Sequence, residues 1–135
     1  MAKALTEEQI LAALDHAEVE TRPLNIPELG GMVWVREMSG TLRNRLEATY
    51  ATIRNGGDSK QLDKITAQLV AYCTVDENGR PILTVNAASR MVEKKAKVAF
   101  RIRDVALELS ATDEDDVEAL AEVFDGAQSD GSTSD

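Results

Sequence analysis

The sequence predicts a small, mainly α-helical domain, α+β in a strict classification. It adds a β-hairpin near the N-terminus, a short apolar hairpin around 75–83 and a disordered acidic C-terminal tail. Three observations carry that prediction. Apolar residues recur at spacings of three and four in several stretches, which places them on one side of a helix. Val33-Trp34-Val35 instead has the β-branched and aromatic content of a strand, with Pro27 and Gly30-Gly31 breaking the chain before it. Charge is segregated: residues 1–109 hold 15 acids and 15 bases, whereas 110–135 hold the other nine acids and no base. A length of 135 residues suits a single domain, expected over 1–124 with the hairpin at about 19–38 and the tail at 125–135.

The first helix opens on Thr6-Glu7-Glu8-Gln9, a capping box in which Thr6 is the N-cap and Gln9 reaches back. Ile10, Leu11 and Leu14 give it a short apolar face, and it ends near His16, which reads as a surface residue at a helix C-terminus. In the hairpin that follows, Pro23 and Pro27 assign the first stroke to a sheet edge, because proline cannot donate to a ladder. Val33 and Val35 share one face of the second stroke and Trp34 takes the other. Two readings stand for Trp34: core packing under a helix, or an exposed anchor for a partner.

Ser39-Gly40-Thr41 offers an N-cap for a helix reaching about Asn55, with Leu42, Leu46, Tyr50 and Ile53 as its stripe. Asn55-Gly56-Gly57 ends it, and Asp58 or Ser59 caps the next helix. That helix carries Leu62, Ile65, Leu69 and Cys73 on one side and runs into Asp76-Glu77-Asn78-Gly79. There Asn-Gly tolerates the positive φ of a tight turn, and Val75, Ile82 and Leu83 pin the turn to a core.

Asn86 then caps one long helix to about Leu109. Met91, Val98, Ile102, Val105 and Leu109 form one apolar stripe, while Ala96, Phe100 and Leu107 form another on roughly the opposite side. Arg90, Lys94, Lys97 and Arg101 line up between them. A helix apolar on two sides is covered on both, so one side is expected to meet a neighbouring helix, a second subunit or a client. The basic stripe is either a solvated face or a surface that meets the acidic end of the chain. Thr112-Asp113-Glu114-Asp115 is a second capping box, and Val117, Leu120, Ala121 and Phe124 make a compact amphipathic face after it. Residues 125–135 hold no large apolar side chain to offset the entropy of ordering.

Chemistry is mostly excluded. Gly30-Gly31 and Gly56-Gly57 lack the spacing and the lysine of a phosphate loop. The two acidic turns lack the ligand pattern of a calcium loop. One cysteine and one histidine make neither a disulfide, a metal cluster nor a triad, so no cofactor and no enzyme activity is expected. A neutral body with a negative end lacks the basic footprint of a nucleic-acid binder, and no apolar run is long enough to span a membrane. A cytoplasmic protein is expected, as no basic-then-apolar leader opens the sequence.

Three stretches together carry a family likeness. The run from Val33-Trp34-Val35-Arg36-Glu37-Met38 to Ala48 resembles the opening "V-R-E-L-T/S" segment of tail assembly chaperones of long-tailed, siphovirus-type bacteriophages. Leu69-Val70-Ala71 through Val75-Asp76-Glu77-Asn78-Gly79-Arg80-Pro81 to Thr84 is similar to their "L-V-A-x-x-V-x-D-E-D-G-x-P" segment. Leu107-Glu108-Leu109-Ser110 with Asp116-Val117-Glu118-Ala119-Leu120 is similar to the closing one. The order and spacing are kept over about 18–122, although Val85-Asn86-Ala87-Ala88 stands where the family has an acidic segment.

The resemblance implies a non-enzymatic protein that binds the tape-measure protein as a client and keeps it soluble while tail-tube protein polymerises around it. It implies self-association, contact with the tail-tube protein, a place in the cytoplasm of the infected host, absence from the mature virion and a longer frameshifted form. The expected contact residues are Trp34, Phe100 and Leu107, with Arg90, Lys94, Lys97 and Arg101 as polar partners. A structural minor tail or connector protein of the virion is the alternative. A small adaptor using the basic helix is a third reading.

Overall fold

The computed structural model describes residues 4–16, 19–58 and 60–111. In chain order they form α1 (Glu7–His16), β1 (Thr21–Ile26), a 3-10 turn (Pro27–Leu29), β2 (Gly31–Arg36), α2 (Gly40–Arg54), α3 (Lys60–Cys73), β3 (Thr74–Val75), α4 (Val85–Lys94) and α5 (Ala96–Ser110). The mainly helical class with a β-hairpin is the one the periodicities predict.

The hairpin pairs Thr21 with Arg36 and Ile26 with Gly31, with β1 at the edge as its proline requires. Gly30, at φ 75°, closes the 3-10 turn and donates its N–H to the Pro27 carbonyl. The short apolar hairpin of the middle of the chain does not stand apart from the first one. Its leading stroke, β3, is the third strand of the same antiparallel sheet, pairing Val75 with Trp34 and Thr74 with Val35. Its tip closes by an N–H from Gly79 to the Asp76 carbonyl (3.0 Å) and one from Asp76 to the Arg80 carbonyl (2.9 Å). Of the Asn-Gly pair, Gly79 alone has positive φ, at 82°. The turn is thus the longer hairpin type with one left-handed glycine, rather than the two-residue type with two such residues. The Asp76 carboxylate accepts from the N–H groups of Arg80 and Asn78 at 3.0 and 2.8 Å, and these bonds hold its pKa below the usual range.

α3 is the axis of the core. It buries Leu62, Ile65, Thr66, Ala67, Leu69, Val70, Ala71 and Cys73, more than one side of a helix can present to a single neighbour. α2 covers it with Leu42, Leu46 and Tyr50, after a start fixed by the Ser39 hydroxyl accepting the Leu42 N–H at 3.1 Å. The Asp58 carboxylate accepts the Lys60 N–H at 2.9 Å at the start of α3; Ser59 lies outside the described residues.

The single long helix expected after residue 86 is two helices. Thr84, not Asn86, caps α4, its hydroxyl accepting the Ala87 N–H at 3.1 Å. Lys95, at φ −139° and ψ 60°, leaves the helical region, and α5 starts anew behind it. The reason is one of partners. A straight helix of that span would be about 37 Å long against about 21 Å for α3 and would overshoot the core. Broken at Lys95, the first half lies on α3 while the second packs on α3 and on the sheet.

The core runs without interruption from Ile26 and Val35 of the sheet through α2 and α3 to Ala88, Val98, Ile102 and Leu109. α1 takes no part in it. Its capping box forms as expected, with Gln9 N–H to the Thr6 hydroxyl at 3.2 Å and Thr6 N–H to the Gln9 amide oxygen at 3.1 Å. Yet Leu5, Ile10, Leu11 and Leu14 are between 44% and 63% exposed. The second capping box, the amphipathic stretch 117–124 and the tail 125–135 lie outside the described residues.

Candidate functional site

The predicted contact residues do not form one surface. Leu107 is 3% exposed and belongs to the core. Of the second apolar stripe, Leu107 alone is buried, alongside Ala99 and Ala106, whereas Ala96 and Phe100 stay partly exposed.

Phe100 remains half-buried. Its ring lies 4.5 Å from the Arg103 guanidinium, and with Val92 and Ala96 it floors an open groove whose rim includes Asp63, Lys64 and Glu93. Trp34 sits on the sheet face opposite Val33 and Val35, half-buried, flanked by Pro23 on β1 and Val75 on β3. Met32, on that same face, is 48% exposed. The alternation of β2 therefore gives this small sheet an apolar outer side.

The basic stripe is split by the break at Lys95. Arg101 is engaged: its two guanidinium nitrogens donate to the Glu28 carboxylate at 3.0 and 2.6 Å. That contact draws the Glu28 carboxyl down to about 2. Arg90, Lys94 and Lys97 are exposed and form no ion pair among the described residues.

Another groove lies elsewhere, lined by residues that were not among the expected contacts but that belong largely to the family-like stretches 33–48 and 69–84. Between the start of α2, the end of α3 and the loop before α4 runs a groove of about 560 Å³. Leu42, Ala71, Tyr72, Leu83 and Val85 give it an apolar lining, and Arg45 is the one charged residue on its wall. Gln68 lines both this groove and a neighbouring one, and its amide oxygen is buried without a hydrogen-bond partner among the described residues. Tyr72 is held from behind by Arg36, whose guanidinium stacks 3.9 Å from the ring while its Nε donates to the Tyr72 carbonyl at 2.8 Å. Val85, on its wall, is 49% exposed. Such a groove suits a segment that offers apolar side chains.

Among the described residues no three His, Cys, Asp or Glu side chains cluster as metal ligands, and no helix is long and apolar enough to cross a membrane. Cys73 is fully buried, and desolvation pushes its thiol up to about 12.

No protein-family model matches the chain, and no curated protein matches it. Among solved structures, that of the bacteriophage HK97 tail assembly chaperone is similar, with a TM-score of 0.54 and 23% sequence identity. The match covers 79% of this chain and 99% of that one. At that identity the likeness is one of fold.

Proposed function

We propose that this chain is a tail assembly chaperone of a long-tailed bacteriophage. It binds the tape-measure protein and keeps that long client soluble while tail-tube subunits gather around it. The observation that supports this most is the fold shared with the HK97 tail assembly chaperone over nearly all of that chain. The family-like segments at 33–48, 69–84 and 107–120, in their usual order, point the same way. The role needs no catalysis: the protein lends apolar surface to segments of its client and adds negative charge to the assembly.

The groove bounded by Tyr72, Leu83 and Val85 is the client's seat in this reading, and the outer sheet face around Trp34 is a second contact for the client or another subunit. The protein works in the host cytoplasm, self-associates and leaves before the virion is complete.

Co-expression with the tape-measure protein tests the proposal. The client is expected to move from the insoluble to the soluble fraction, and Val85→Glu, at an exposed rim position, is expected to weaken that rescue without unfolding the domain. A client equally insoluble with and without this protein sinks the proposal. Finding the protein at fixed copy number in purified particles assigns it instead to the virion as a minor tail or connector component.

A further inference from the structure

We infer that α1 of one copy docks along the seam of α2 and α3 on a second copy. The inference rests on the self-association proposed above and names the two surfaces that meet.

Residues 4–15, which include nearly all of α1, are exposed throughout. A helix this short is marginal in water by itself and draws most of its stability from packing an apolar face. α1 nevertheless has a closed capping box, and Leu5, just before the Thr6 cap, stands where a hydrophobic staple to Ile10 begins. Ile10, Leu11 and Leu14 fall within an arc of about 100°, with Glu8 and Asp15 together on one flank of it. Caps and stripe thus specify a helix whose apolar face its own chain leaves uncovered.

The body of the molecule offers a trough of matching length. The groove lined by Tyr72 and Leu83 shares Arg45 and Gln68 with a neighbouring groove of about 390 Å³, so the two run together between α2 and α3. Their walls reach from Thr41 to Thr52 on α2 and from Gln61 to Tyr72 on α3. Each wall is about 16 Å of helix, against about 15 Å for α1. At one end Leu42, Ala71, Leu83 and Val85 form an apolar lining for the leucines and isoleucine of α1.

Charge selects this trough over its competitors. α1 carries Glu7, Glu8 and Asp15 and neither lysine nor arginine. The trough carries Arg45 and Lys64 and no acid among the described residues. Two other grooves match less well: the one floored by Phe100 has Asp63 and Glu93, and one beside Tyr50 has Glu47. Ion pairs at exposed positions add little affinity, so apolar burial holds the contact while charge sets where it forms.

A photo-crosslinker in place of Leu11, in full-length chains mixed with isotope-labelled copies, tests the inference. The expected adducts join labelled to unlabelled chains and map to 41–52 or 61–72. Their yield should fall roughly threefold or more when the partner chain carries Arg45→Glu and Lys64→Glu, and recover when the crosslinking chain also carries Glu8→Lys and Asp15→Lys. In sedimentation, Leu14→Glu should weaken self-association by roughly tenfold or more. It should leave the denaturation midpoint of the dilute protein unchanged, because α1 lies outside the core. Adducts confined to one chain, adducts to the groove floored by Phe100, or a yield indifferent to the charge reversals overturn the inference. A protein that stays monomeric at every concentration overturns the self-association with it. Client rescue by a protein that gives no such adducts leaves the chaperone role standing, whereas adducts without client rescue leave the α1 contact and remove that role.

Discussion

Arg101 meets Glu28 with both guanidinium nitrogens on both carboxylate oxygens, joining the front of α5 to the tip of the β1–β2 hairpin. At the other end of the hairpin Arg22 reaches Glu108, also at 2.6 Å. The hairpin is thus clasped to α5 at both ends across the core that lies between them. An arginine that looks from its spacing like part of a binding stripe is a structural clasp.

The Glu28 carboxyl is lowered from 4.5 to about 2, first by its hydrogen bond to Arg101. A depressed folded-state pKa contributes stability above the unfolded value and loses it as pH falls through the folded one. Thermal unfolding of the wild type is therefore expected to worsen between pH 4.5 and about 2 by more than that of Glu28→Gln. Both residues are more than a third exposed, so the difference should be small and should shrink further in salt. Equal acid sensitivity of the two proteins would contradict the clasp.

Leu107→Ala is expected to cost about 2–5 kcal/mol in chemical denaturation, because Leu107 fills core space with no solvent-exposed side to collapse into. Phe100→Ala, at a half-buried position, should cost less. The reverse order would return Leu107 to the surface.

Burial raises the Cys73 thiol from 9.0 to about 12, so at pH 8 little thiolate is available. Labelling by a thiol reagent in native buffer should be slower than in denaturant by about a thousandfold or more. The sign for stability follows: the contribution is full below pH 9.0 and is lost as pH rises toward about 12, where the unfolded thiol ionises and the folded one resists. Rapid native labelling would mean that the α3–sheet junction opens.

Gly79→Ala introduces no clash, since nothing lies within 4 Å of the added carbon, but it forces a side chain to φ 82°. A loss of about 1–2 kcal/mol is expected, with Gly79→Asn costing less because asparagine tolerates that region better. Denaturation midpoints of the two variants check the order.

Much of the fold was legible. The Ser39 cap, the α2 stripe, the apolar side of α3 and the strand character of Val33-Trp34-Val35 all follow from local chemistry, which the tertiary structure leaves in force. The break at Lys95 was not legible. No glycine or proline marks it, and the 100° phase of the apolar residues continues from Met91 to Val98 as if the helix did. Its cause lies in the limited length of α3, a property of the assembled domain. The candidate site was harder still. Alternation along β2 placed Trp34 correctly opposite Val33 and Val35, yet Leu107 looked like surplus because sequence cannot say how many neighbours α5 has. The α2–α3 groove draws a few residues each from α2, α3 and the loop before α4, and no single stretch shows by itself that they meet.

The pairing of Trp34 with Val75 bears on the order in which the molecule assembles. β1 and β2 are neighbours in sequence and can zip as soon as the chain is made. Closing Val75 against Trp34, in contrast, shuts a loop of about forty residues that contains both α2 and α3, an entropic toll collected before any reward. The lone tryptophan sits on that late seam. Its emission should therefore trail the helical circular-dichroism signal in a stopped-flow refolding trace, a built-in clock for the final step.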